Sequence, residues 1–298
     1  MNERVVLKPR VVVRRKKKKS PFLKGLFVVL FATALTTLAI QASDTYTIPG
    51  TSFLAGVGNA GPTPHCPPEM AYIPHDGGGY CIDRYETSAG EHCPYQDPSN
   101  EFQSQSNLTN PLCVPTAEKS KRPWVNAPFH EALRACAQAG KRLPTNNEWY
   151  RASLGTPDAV IDGDTTLCAL GHTGQASADD TGIHDRCVSS YGVYDMVGNV
   201  WEWVDGSVTD GIYDTHKLPA DGFVAEVDVD GVPTQTATSS VPSFGGDYFY
   251  VDKTGVRGMM RGGFWSLKEK AGPFSMNATI PLSFVGNAVG FRCVKDAE

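Results

Sequence analysis

A chain of 298 residues with 41% hydrophobic and 20% charged residues has an ordinary globular composition and room for one large irregular domain or two small ones. Its net charge of −5 hides two opposite regions: residues 1–24 hold ten Lys and Arg against Glu3, a balance of +9, which leaves −14 to everything after them. A body this acidic repels phosphate backbones, so nucleic acid is excluded as a partner despite the basic arm.

The basic arm, residues 1–21, runs into FLKGLFVVLFATALTTLAIQA, residues 22–42, in which the stretch from Leu26 to Ile40 has neither charge nor proline. Lys and Arg ahead of an apolar run hold that end in the cytoplasm and send the residues beyond the run across the membrane. Two readings stay open. The short run and small Ala42 suit a cleaved signal peptide; the long basic region and a span near the lower limit of roughly 17 residues suit an uncleaved transmembrane anchor, which is favoured. Either way the body is expected on the extracytoplasmic side, membrane-anchored or secreted, with the membrane as partner of the N-terminal segment. All eight cysteines lie beyond that segment, and an even count in a translocated chain points to disulfides and an oxidising compartment. None forms a C-x-x-C pair, so a zinc ribbon or thioredoxin-like site has no support.

Residues 43–65 are rich in Gly, Pro, Ser and Thr and read as a flexible linker, so the folded domain is placed at 66–298. In NAPFHEALRACAQAG, Phe129, Ala132, Leu133, Cys136 and Ala137 share one helical face, with Asn126 placed to cap the start and Gly140 to end it. Thr145 and Glu148 in TNNEW form a T-x-x-E capping box for a second helix, closed by Gly155. Beyond it come long glycine- and aspartate-bearing loops, the short apolar run GFVAEVDV and the aromatic GGDYFYV. Alternation in VWEWV sends Trp201 and Trp203 to one face as packing residues and Glu202 to the other.

Three stretches in order, VNAPFHEALRACAQAGKRLPTNNEWYRAS, YGVYDMVGNVWEWV and MMRGGFWS…VGFRCV, closely resemble the formylglycine-generating enzyme or sulfatase-modifying-factor family, and GGGYCIDRYETS resembles its opening strand. The resemblance runs from about Cys66 to the C-terminus. It implies an α+β fold: an irregular single domain, the formylglycine-generating-enzyme variant of the C-type lectin fold. It also implies a calcium site in D-M-V-G-N-V-W-E, held by the side chains of Asp195 and Glu202 and the carbonyls of Gly198 and Val200, hard oxygen ligands that suit this ion. A second calcium site of the family cannot be mapped onto the preceding loop, although Asp179 and Asp180 are available there.

Oxidase members of the family carry two cysteines after the glycine-aromatic motif, and their thiolates hold copper(I), a soft ion on soft ligands. Here Leu267 and Gly272 occupy those positions, so no copper and no catalytic residue are expected. A second branch uses a histidine-ligated iron supplied by an added helical domain, which is absent, and the seven histidines show no H-x-x-x-H spacing. The resemblance pairs Cys136 with Cys293; local spacing then suggests Cys66 with Cys81, Cys93 with Cys113 and Cys168 with Cys187. The expected function is a non-catalytic, calcium-stabilised binding or scaffolding module for a protein, peptide or glycan ligand. Its surface is expected from Phe264, Trp265, Lys268, Glu269 and Lys270 with Tyr248, Phe249 and Tyr250. The alternatives are an oxidoreductase with a divergent site and a structural envelope protein.

Overall fold

Strands β1 (Met70–Ile73) and β2 (Tyr80–Asp83) form an antiparallel hairpin in the computed structural model, which describes residues 65–75, 78–171 and 177–297. The basic arm, the apolar segment and linker residues 43–64 lie outside the described residues. Among the described residues no helix is long and apolar enough to cross a membrane. The hairpin takes the C-terminal strand β12 (Val294–Asp296) on its far side, Val294 opposite Ile82, so the domain's two ends meet in one small sheet. All described residues fall in one unit, Thr63–Glu298.

Helix α1 (Glu101–Thr109) has no apolar period and was not expected. It holds because Asn100 caps it, its side chain accepting from the Gln103 N–H, and because buried Asn107 bonds the backbone of Tyr95 in both directions. Helix α2 (Phe129–Gln138) is capped by Pro128, the residue just ahead of it, and not by Asn126. Asn126 is in the left-handed region at φ 60° and donates its amide to the Pro98 carbonyl, so its side chain serves the preceding loop. Pro128 starts the helix without loss, since an N–H at this end has no intrahelical acceptor. Helix α3 (Asn146–Ser153) carries the expected capping box between Thr145 and Glu148. Glu148 also holds Arg142 through two bonds of 2.7 Å.

The larger sheet is built from β3 (Trp201–Thr209), β4 (Ile212–Tyr213), β5 (His216–Lys217), β6 (Gly222–Val227), β7 (Pro233–Ala237), β8 (Tyr248–Val251), β9 (Val256–Arg261), β10 (Met276–Ala278) and β11 (Val289–Phe291). Its order is β5-β4-β3-β9-β10-β8-β6-β7, with β11 pairing β3 in parallel, Val289 opposite Trp201 and Phe291 opposite Trp203. β3 and β9 run antiparallel with Glu202 opposite Arg261, and the register shifts between Val204 and Ser207. One core cluster gathers Ile82, Trp149, Val204, Phe249 and Met259; a second gathers Trp124, Trp203, Phe291 and Leu143 around Cys136 and Cys293. Trp201 and Trp203 are both buried, Trp203 edge-on to Phe129 at 5.8 Å. The described residues form one irregular domain of mixed α and β elements.

The eight cysteines are joined as Cys66–Cys81, Cys93–Cys113, Cys136–Cys293 and Cys168–Cys187, and none is free. Four disulfides in a domain of this size are typical of extracytoplasmic proteins. The long bond ties α2 to the residue before β12, while the other three each close a local loop.

Candidate functional site

The segment Asp195–Glu202 is a tight turn leading into β3. Asp195, Gly198 and Asn199 all lie in the left-handed region, at φ 57°, 78° and 53°. Gly198 must be glycine on a second count, because a Cβ there would strike the Ala169 carbonyl and lie 2.9 Å from Leu170. The turn buries its acidic side chains: Asp195, Glu202 and, from the loop after β2, Glu86 are all nearly inaccessible to solvent. Asp195 Oδ2 accepts from the Gly182 N–H at 2.6 Å. Glu202 faces the guanidinium of Arg292 through two bonds of 2.6 Å and accepts the Trp149 indole N–H at 2.7 Å. Arg292 spends its other N–H groups on the carbonyls of Asp83 and Tyr194.

Glu86 joins the turn from outside the DMVGNVWE motif. Asn199 donates to its Oε2 at 2.7 Å, but Oε1 has no partner among the described residues although it is buried. Burial, and after it the nearby charges of Asp195 and Glu202, raises the Glu86 carboxyl well above the usual range. Burial raises Asp195 as well. Three carboxylates facing one guanidinium, with one oxygen left unpaired, fit a hard cation in charge and donor chemistry. No three His, Cys, Asp or Glu side chains converge on one point among the described residues, so an ion here would depend on backbone carbonyls such as those of Gly198 and Val200. Three of the roughly four lone-pair positions of Glu202 are already taken by N–H donors.

The loop after β9 contains Leu267 and Gly272, the two positions that the resemblance sets against copper-binding cysteines. Gly262 and Gly263 turn the chain at φ 87° and 86°, and the Trp265 N–H bonds the Asn199 carbonyl at 3.0 Å, fastening this loop to the acidic turn. Leu267 packs into the apolar cluster around Cys168, Cys187 and Ala271. At Gly272 the space is filled: a Cβ built there would penetrate the Asp247 carboxyl group, overlapping both oxygens and Cγ. Asp247 is fully buried, its Oδ2 accepting from the Phe274 N–H at 2.7 Å. Oδ1 receives no hydrogen bond among the described residues, and the neighbouring carboxyl of Asp158 can bond Asp247 only by sharing a proton. Burial and then the Asp158 charge raise Asp247 far above the ordinary carboxylate range. Buried Arg261 faces this pair, pushed down to about 10 by its own desolvation, and donates to the carbonyls of Gly231 and Pro273.

The expected ligand surface is only partly assembled. Phe249 is a correction: it is fully buried in the core, because alternation along β8 turns it away from its neighbours. Tyr248 and Tyr250 are half-buried with ring centres 4.6 Å apart, and Tyr250 lies edge-on to Trp201 at 6.3 Å. Phe264 packs on the second core cluster and Trp265 on Val125, Ala178 and Val200. Lys268 and Glu269 are exposed. Lys270 reaches over the Tyr248 ring at 4.4 Å and the Phe223 ring at 5.8 Å. Tyr248 and Lys270 thereby meet in one recess of about 570 Å³, beside Phe223 and Asp221, which sequence reading had not singled out.

The sequence is similar to known proteins. Over 100 residues, 29% of this chain and 33% of the relative, the sequence is 32% identical to an inactive C-alpha-formylglycine-generating enzyme 2 of Bos taurus. It is 31% identical over 101 residues to a formylglycine-generating enzyme of Mus musculus, covering 28% of this chain and 27% of that one. A serine/threonine-protein kinase pkn1 of Chlamydia caviae is 28% identical over 180 residues, 60% of this chain and 25% of the kinase. The chain thus spans about a quarter to a third of the length of these relatives, one of which is named as inactive and another as a formylglycine-generating enzyme. The model of the sulfatase-modifying factor enzyme 1-like domain matches residues 33–297, nearly the whole sequence, and with the buried acidic turn and the glycine-turned loop in place, the chain belongs to that family.

Proposed function

We propose that this domain is a non-catalytic binding module of the sulfatase-modifying factor family, presented outside the cytoplasm and held at the membrane by the N-terminal segment. The observation that carries the reading is Asp247. The two thiol positions hold Leu267 and Gly272, and the second has no room for a side chain while a buried carboxyl group sits against it. Every cysteine of the chain is committed to a disulfide, so no thiolate is offered to a soft metal elsewhere. The relative in Bos taurus supports the reading, since it is 32% identical over 100 residues and its name calls it inactive.

Calcium is proposed as a structural ion at the Asp195–Glu202 turn. Asp195, the carbonyls of Gly198 and Val200, and the remaining lone pair of Glu202 would hold it, with unpaired Glu86 Oε1 a further oxygen nearby. The ion would supply charge neutralisation to a buried carboxylate group that Arg292 alone does not balance.

The test is direct. Full-length protein treated with copper(I) is incubated with a sulfatase-type cysteine peptide, oxygen and a reductant, and the peptide is read by mass spectrometry. The peptide thiol should persist at the rate of the protein-free control. Protein-dependent aldehyde formation would return the oxidase reading.

A further inference from the structure

Three strands and a turn build the recess beside the Leu267–Gly272 loop. Phe223 on β6 stands opposite Tyr248 on β8, and their rings meet edge to face at 5.1 Å. Thr236 and Thr238 enter from β7 and its end, Asp221 from the residue before β6, and Lys270 from the single 3-10 turn Lys268–Lys270. At about 570 Å³ the recess is within the range of roughly 300–1,000 Å³ usual for small-ligand sites.

Its chemistry is mixed in an informative way. The Lys270 ammonium lies against two aromatic rings and makes no ion pair among the described residues; its contacts are the rings alone. An ammonium screened from water on its ring side and lacking a carboxylate is a receptor for an anionic group. Around it, the Thr238 hydroxyl and the Asp221 carboxylate offer a donor and acceptors to hydroxyl groups. Asp221 keeps its place because its Oδ1 accepts the Val251 N–H at 2.6 Å. The half-buried rings of Phe223 and Tyr248 supply apolar area of the kind that packs against the C–H groups of a pyranose. Hydroxyl-binding groups around one cation suit a polyhydroxylated ligand better than a peptide. The body's net charge of −14, what remains of −5 after the +9 arm, disfavours a polyanionic chain and leaves a single acidic unit.

We propose that this recess binds one acidic sugar residue, its carboxylate on Lys270, its hydroxyls on Asp221 and Thr238, and its ring against Tyr248 and Phe223. The assignment rests on the non-catalytic binding reading and names its ligand class. Its test titrates full-length protein with glucuronate, glucose and the acidic dipeptide Gly-Glu by calorimetry, and repeats the series with Lys270→Gln and Lys270→Arg. Glucuronate should bind about tenfold or more tightly than glucose, the gain expected of one charge-assisted bond. K270Q should bring glucuronate down to the level of glucose with circular dichroism unchanged, and K270R should keep most of the preference. Equal binding of glucuronate and glucose, an unaffected K270Q, or Gly-Glu binding as tightly as glucuronate overturns the assignment. Protein that makes no aldehyde and binds neither sugar loses this assignment while the non-catalytic reading stands.

Discussion

Replacing Gly272 by alanine separates two effects of opposite sign. Gly272 is not among the glycines with positive φ, so its backbone accepts any residue. At such a position Gly→Ala stabilises by about 0.4–1 kcal/mol through the unfolded chain. The new Cβ, however, would overlap Asp247. That carboxyl group has little freedom to swing away: it is buried, it holds the Phe274 N–H, and its own backbone bonds Phe244 and Val224. Overpacking of this kind costs about 1–3 kcal/mol, and a Phe274 N–H left without its acceptor adds about 1–3 more. A net loss of about 2–4 kcal/mol is expected, or about 4–16 °C in melting temperature at roughly 2–4 °C per kcal/mol for a domain of this size. Equilibrium urea unfolding with disulfides intact measures it. The same substitution in an Asp247→Ala background should cost at least about 1 kcal/mol less, as expected when a contact is the cause. A Gly272→Ala protein as stable as the parent, or more so, refutes the claim that Asp247 fills this position.

Arg292→Met should destabilise by about 3–5 kcal/mol, because Glu202 is left charged and buried, and Glu202→Gln added to it should restore part of that loss in the same urea assay. Asp247 is held by burial and Asp158 above its ordinary value near 3.8. The folded state therefore keeps its proton longer than the unfolded chain. Its contribution is full below about pH 4 and is lost as pH rises through the folded value. Subtracting the stability–pH curve of Asp247→Asn from that of the parent isolates this fall; a difference that stays flat or rises with pH contradicts it. Calcium should raise the melting temperature by mass action and a chelator should lower it, with Asp195→Ala abolishing the response; a melt indifferent to chelator removes the ion from the account.

The sequence signals that succeeded were those in which local chemistry decides. The Thr145–Glu148 box needs only four residues to close, and the Trp201–Trp203 alternation needs only a strand. Helix α1 was missed because its apolar content is one Phe, exposed, and one Leu, and what holds it is a cap at Asn100 and a distant backbone contact through Asn107. Composition groups Phe249 with its tyrosine neighbours, but the period of two along β8 separates it from them. At the acidic turn the DMVGNVWE motif was legible, but the partners were not. Glu86 and Arg292 are separated from it by about a hundred residues each and stood in view inside YETS and GFRCV. A lone charge beside apolar core residues is a signal that pairing is required, but it does not say with what. Asp158 and Asp247 carried no motif at all, and only the glycines pressed against them, Gly245 and Gly272, show how tightly the chain closes there.

The bond between Cys136 and Cys293 spans 157 residues, whereas the other three span 15, 20 and 19. For a chain delivered N-terminus first this sets a schedule. Cys66, Cys93 and their partners close soon after they appear, but Cys136 must wait for nearly the last residue, roughly 10–30 s at the usual rate of synthesis. During that interval Cys168 and then Cys187 emerge beside an unpaired Cys136 and are within easy reach of it. A compartment that oxidises thiols quickly but cannot reshuffle them would trap Cys136 on Cys168, leaving Cys187 and Cys293 to pair wrongly. In such a compartment correctly joined protein would require disulfide exchange as well as oxidation.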